Sequence, residues 1–106
     1  MDATILDQLF TTIASRKGGD PASSYTAKLF AEGRPKIARK LGEEAVETTI
    51  AALSEGKDRV ASESADLLYH LLVLWADCGI VPAEIWDALA ARQGKSGIEE
   101  KNSRSK

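Results

Sequence analysis

Cysteine is nearly absent. The 106 residues contain one, Cys78, so no intrachain disulfide can form and no cysteine-built zinc site is available. Histidine is equally scarce, and the single His70 excludes multi-histidine metal centres and, with no supporting signature, a serine- or cysteine-based triad. An excess of one charge is missing too: 14 basic residues face 16 acidic ones, a formal charge of −2. That balance argues against a nucleic-acid binder. Long apolar runs are lacking. The longest, Leu71 to Ala76, is far too short to span a bilayer, which argues against a membrane protein. Asp2 and Asp7 interrupt the opening stretch where a signal peptide needs its apolar centre. No GxxxxGK[ST] loop is present, which excludes a P-loop NTPase. The expectations are a single domain in a reducing, cytoplasmic setting, with Cys78 a buried packing residue near a helix end.

Strand signals are also missing. The fold class expected is all-α: a compact helical bundle of about five helices, with two long antiparallel central helices. Over residues 3–16, Ile5, Leu6, Leu9, Phe10 and Ile13 recur at helical period, with Asp2 as a candidate cap. Gly18-Gly19-Asp20-Pro21 ends that segment. Ser23 or Ser24 can cap a short helix through Ala31, stopped by Gly33. Pro35 suits the first turn of a long helix to Leu53, and Gly56 ends it. A second long helix runs from Asp58 to Asp77, with Gly79 beyond it. Pro82 opens a last helix carrying Ile85, Trp86 and Leu89. Residues 1–93 form the helical domain and 94–106 a polar C-terminal tail.

The central helices differ. In residues 36–53 the apolar stripe is Val46, Ile50 and Leu53 with a polar face beside it, whereas Leu67 to Trp75 is apolar on almost every side. A helix apolar all round is buried by neighbours, and in so short a chain some of these come from a second subunit.

Two acidic groups sit on these helices: Glu43-Glu44-x-x-Glu47, then Glu63-x-x-Asp66. Residues three apart lie about 60° from one another around a helix, so each pair presents two carboxylates on one face. Helices packed antiparallel would bring four carboxylates together, and these repel unless a cation sits among them. All-oxygen ligands favour magnesium or manganese. The competing reading is a solvated acidic face. Lys40–Glu44 has salt-bridge spacing, but Glu63 and Asp66 have no lysine or arginine three or four residues on. His70 lies one turn beyond Asp66 on the same face, as an outer partner or a substrate contact. The di-iron bundle motif Glu-x-x-His is absent, because Tyr69 stands where histidine would be needed.

Basic residues Lys28, Arg34, Lys36, Arg39 and Lys40 precede the first acidic group. They form either a solvated face or a phosphate clamp beside a metal. Ser23, Ser24, Tyr25 and Thr26 add hydroxyls, and the tail segment 96–101 can fold over an anion. Gly42 costs a helix about 1 kcal/mol relative to alanine, which a nearby ligand or, as the favoured reading, close helix packing would explain.

With EExxE and ExxD in place, the chain resembles the all-α NTP pyrophosphohydrolases of the MazG-like superfamily. Within it, SSYTAKLF (23–30), GRPKIARKLGEEAVET (33–48), ESADLLYHLLVLW (63–75) and SGIEEK (96–101) resemble the phosphoribosyl-ATP pyrophosphohydrolase family of histidine biosynthesis. The resemblance covers nearly the whole chain. It implies hydrolysis of phosphoribosyl-ATP to phosphoribosyl-AMP and pyrophosphate. It implies magnesium ligands at Glu44, Glu47, Glu63 and Asp66, with Glu43 close by, and a homodimer sharing its central helices. Many members are fused to a cyclohydrolase domain, and the stand-alone form is expected here. Glu43 or Glu47 would take the proton of the attacking water. Tyr25, Lys28, Arg34, Lys36, Lys40 and His70 are candidates to hold the nucleotide substrate. The alternatives are a broad dNTP pyrophosphatase from the same superfamily and a non-catalytic helical adaptor.

Overall fold

A computed structural model describes residues 2–93. Five helices follow one another without a strand among the described residues: α1 (Thr4–Ser15), α2 (Tyr25–Glu32), α3 (Arg34–Ser54), α4 (Lys57–Cys78) and α5 (Pro82–Ala90). The polar tail expected at 94–106, with its segment 96–101, lies outside the described residues.

Local chemistry sets the boundaries. Asp2 accepts from the Thr4 N–H at 2.9 Å and from its hydroxyl at 2.7 Å, fastening the start of α1. Of the two serines, Ser24 is the cap of α2: its Oγ accepts from the Ala27 N–H at 3.1 Å. Gly33 joins α2 to α3 at φ 95°, a backbone conformation that side chains disfavour, and Pro35 follows in the first turn. At the end of α4, Gly79 is left-handed at φ 75°. The Ile80 N–H reaches the Trp75 carbonyl at 2.9 Å and the Gly79 N–H the Ala76 carbonyl at 3.2 Å. These two bonds satisfy the final carbonyls in a Schellman turn. Pro82 and the Glu84 carboxylate, which accepts from the Val81 N–H at 2.9 Å, start α5.

Only Glu55 and Gly56 separate α3 from α4, so the two long helices fold back on each other as an antiparallel hairpin. The core forms where α1 and α2 cover this hairpin. Ile13, Leu29, Ile37, Leu72 and Val73 are its fully buried members, flanked by Leu6, Leu9, Phe10, Phe30, Tyr69 and Trp75. Trp75 meets Trp86 edge to face at 6.2 Å, which seats α5.

One expectation is corrected. Cys78 is exposed, as the last residue of α4. A Cβ on Gly42 would meet nothing within 4 Å, so close packing inside the protomer does not account for this glycine. The stripe Val46, Ile50 and Leu53 faces outward, with exposures of 58%, 49% and 83%. The buried residues of α3 are instead Ile37, Glu44 and Ala51, seven apart, the repeat of a coiled-coil seam.

Candidate metal centre

The same seven-residue repeat runs along α4, where Glu63 and His70 are both buried. Glutamates therefore occupy seam positions on both helices of the hairpin. Glu44 retains 8% of its exposure and Glu63 6%, values at which carboxylates need partners. Glu44 Oε2 and Glu63 Oε2 are buried without a hydrogen-bond partner. Carboxylate oxygens of Glu44, Glu63 and the exposed Asp66 lie within 4.8 Å of one another.

Burial first, then contact with the like-charged Glu47, pushes the Glu44 carboxyl above its ordinary range. Glu63 shifts the same way for the same leading reasons, against the opposing pull of Arg59. Two touching carboxylates can hydrogen-bond only if one keeps a proton; otherwise a cation must stand between them. This donor set is all oxygen, compact and short of positive charge. It fits a hard divalent ion.

Glu47 lies against Glu44 and Glu63 but outside the mutually close set that includes Asp66. Glu43 is not a member of that set and stands 3.7 Å from Lys40 Nζ. Lysine 40 thus pairs three residues on, rather than with Glu44 as its spacing allowed.

His70 Nδ1 is 2.7 Å from the Asp66 carbonyl oxygen. A carbonyl only accepts, so Nδ1 carries a proton, and in the neutral ring Nε2 accepts from the Tyr25 hydroxyl at 3.1 Å. Tyr25 stacks on Tyr69 at 6.4 Å, and the Tyr69 hydroxyl bonds Thr26 Oγ1. These contacts pin the start of α2 to α4 one turn past the acids. Burial raises the Tyr25 hydroxyl above its usual range, with Lys40 opposing.

Among the basic candidates, Arg34 is committed elsewhere. Its Nε donates to Asp77 Oδ2 at 2.7 Å and its Nη2 to the Asp77 carbonyl at 3.0 Å, tying the start of α3 to the end of α4. Lys28 is exposed and Lys36 half-buried. Sequence reasoning missed Arg59. It sits four residues before Glu63, and its Nη2 donates to Glu63 Oε1 at 2.7 Å. The signal was there as Arg-x-x-x-Glu, lying N-terminal to the acids.

Residues 6–93 match the model of the family described as phosphoribosyl-ATP pyrophosphohydrolase. The chain is 70% identical over 105 residues to the phosphoribosyl-ATP pyrophosphatase of Paramagnetospirillum magneticum, covering 99% of this chain and 96% of that one. It is 61% identical to that of Azospirillum brasilense, over 98% of this chain and 94% of the relative. To that of Rhodospirillum rubrum it is 59% identical, over 96% and 87%.

Proposed function

Because the chain belongs to the phosphoribosyl-ATP pyrophosphohydrolase family, we propose that it hydrolyses phosphoribosyl-ATP to phosphoribosyl-AMP and pyrophosphate, the second step of histidine biosynthesis. The observation that supports a metal-assisted route is the pair of buried, partnerless oxygens on Glu44 and Glu63 beside Asp66. Glu44, Glu63 and Asp66 would hold magnesium, or manganese in its place. When bound, such an ion would offset charge on the oxygens of the α and β phosphates that flank the scissile P–O bond and would help to orient the attacking water.

The chain's own groups then divide the remaining tasks. Glu47 touches two of the three ligands yet stands apart from the third. It takes the proton as water attacks and the bond between the α and β phosphates opens. Glu43, already beside Lys40, is less well placed for this. Lys28, Lys36 and Lys40 supply positive charge for the phosphates. Tyr25, held by His70 and stacked on Tyr69, offers an aromatic face to the nucleotide. Arg34 acts in the fold, through Asp77.

The functional unit proposed is a homodimer, supported by the outward stripe Val46, Ile50 and Leu53. The proposed setting is the cytoplasm, where the exposed Cys78 thiol stays reduced. No single helix among the described residues is long and apolar enough to cross a membrane.

Pyrophosphate release from phosphoribosyl-ATP, followed with magnesium and then with chelator, tests the assignment. Asp66→Ala is expected to abolish release while the far-ultraviolet circular dichroism stays helical. Near-normal turnover in that variant argues against the site. Faster turnover of a dNTP panel would move the assignment to nucleotide-pool cleaning, and failure on every substrate would favour a non-catalytic adaptor.

A further inference from the structure

Among the described residues, a cation that takes no part in the hydrolysis as proposed meets the acid group directly. Arg59 lies one turn before Glu63 on α4. Its Nη2 donates to Glu63 Oε1 at 2.7 Å, and its Nε stands 3.5 Å from Glu55 Oε1. Glu55 belongs to the link between α3 and α4, so the guanidinium is held from the turn as well as from the helix. With Oε1 taken, the oxygen that Glu63 has left is Oε2, which is buried and has no partner. Glu47, Ile50, Glu55, Arg59 and Glu63 line an open cleft of about 190 Å³ at this place.

We propose that Arg59, steadied by Glu55, is a positioning residue for the metal: it fixes the Glu63 carboxylate so that a single oxygen, Oε2, is offered to the ion. The inference rests on the metal reading given above. Two effects of Arg59 oppose each other. Its charge weakens the attraction of Glu63 for a cation, while its hydrogen bond orders the ligand. The Arg59 side chain is 58% exposed, so solvent screens the charge effect. The ordering is not screened, and it dominates. Partners that orient metal ligands typically contribute about 10–100-fold to affinity.

Manganese binding to the full chain without substrate, read from the electron paramagnetic resonance of free Mn²⁺, tests this directly. Arg59→Ala is expected to weaken binding about tenfold. Arg59→Lys should recover only part of the loss, because an ammonium lacks the planar fork. Lys57→Ala removes the same charge two residues away and should bind as the wild type does. Wild-type affinity in Arg59→Ala, or an equal loss in Lys57→Ala, overturns the positioning role and leaves the metal site standing. A wild-type chain that binds no Mn²⁺ overturns both. Should Arg59→Ala lose its helical circular dichroism, Arg59→Lys decides: weakened binding supports the role and full affinity overturns it.

Discussion

Glu44 occupies a position on α3 that its neighbours one heptad away give to Ile37 and Ala51. A carboxylate there destabilises the metal-free protein whenever it is ionised, since burial and the adjacent Glu47 both disfavour its charge. The sign follows from linkage. The folded-state pKa lies above the ordinary value of 4.5, so between the two values the native state binds more protons than the unfolded one. Stability from this group therefore falls as pH rises through that interval, and the full penalty is present above the folded value. Glu44→Gln should raise the melting temperature of the metal-free protein at neutral pH. The advantage should shrink as pH falls from the raised folded-state value towards 4.5 and be gone below it. Magnesium should reverse the order, because it stabilises only the chain that retains its ligand. Thermal melts at several pH values, with and without magnesium, check all three outcomes. A Glu44→Gln variant no more stable than wild type at pH 7 without metal would show that the carboxylate is relaxed.

Between elements, the hairpin of α3 and α4 brings the acids together, and α1 and α2 hold the hairpin closed. Leu72 is 1% exposed in the cluster with Ile13, Leu29, Ile37 and Val73. Truncating such a side chain removes its transfer energy and leaves a cavity, so Leu72→Ala should destabilise by about 2–5 kcal/mol in urea unfolding. A loss under about 1 kcal/mol would mean that the site collapses without strain. Much of this level is legible in the sequence. Gly33 and Gly79, at positive φ, and Pro35 and Pro82, in first turns, punctuate the helices because each has a backbone reason to stand at an end, while Gly56 marks the link between α3 and α4 in an ordinary extended conformation. The convergence of Glu44, Glu63 and Asp66 follows from two spacings and one short link. Which face of α3 turns inward was not legible. Helical periodicity ranks faces by hydrophobicity, and by that measure Val46, Ile50 and Leu53 outrank a face containing Glu44. Arg59 stayed hidden because Arg-x-x-x-Glu sets the cation N-terminal to the acid, the weaker orientation of a helical ion pair.

At the scale of the whole molecule, the outward stripe on α3 demands an occupant. Val46, Ile50 and Leu53 are spaced four and then three apart, the seam that packs against another helix. Gly42 lies one turn before them with open space where its Cβ would be, so nothing bulky obstructs a close approach at that end. Ile50 also lines the cleft with Glu47 and Glu63, which sets the surface beside the acids. A second copy presenting the same stripe would satisfy it symmetrically, as an isologous contact does. Leu53 is the sharpest probe. It is 83% exposed in the protomer, so Leu53→Glu costs the isolated fold little. In a dimer, however, it would bury one unpaired carboxylate from each copy. Like charges so placed cost several kcal/mol, enough to weaken association by about a hundredfold or more. Sedimentation velocity at micromolar protein should show a dimer for the wild type and a monomer for Leu53→Glu, with equal helical circular dichroism. A wild-type chain that sediments as a monomer, or a variant that keeps the wild-type coefficient, would assign the stripe to something other than a second copy.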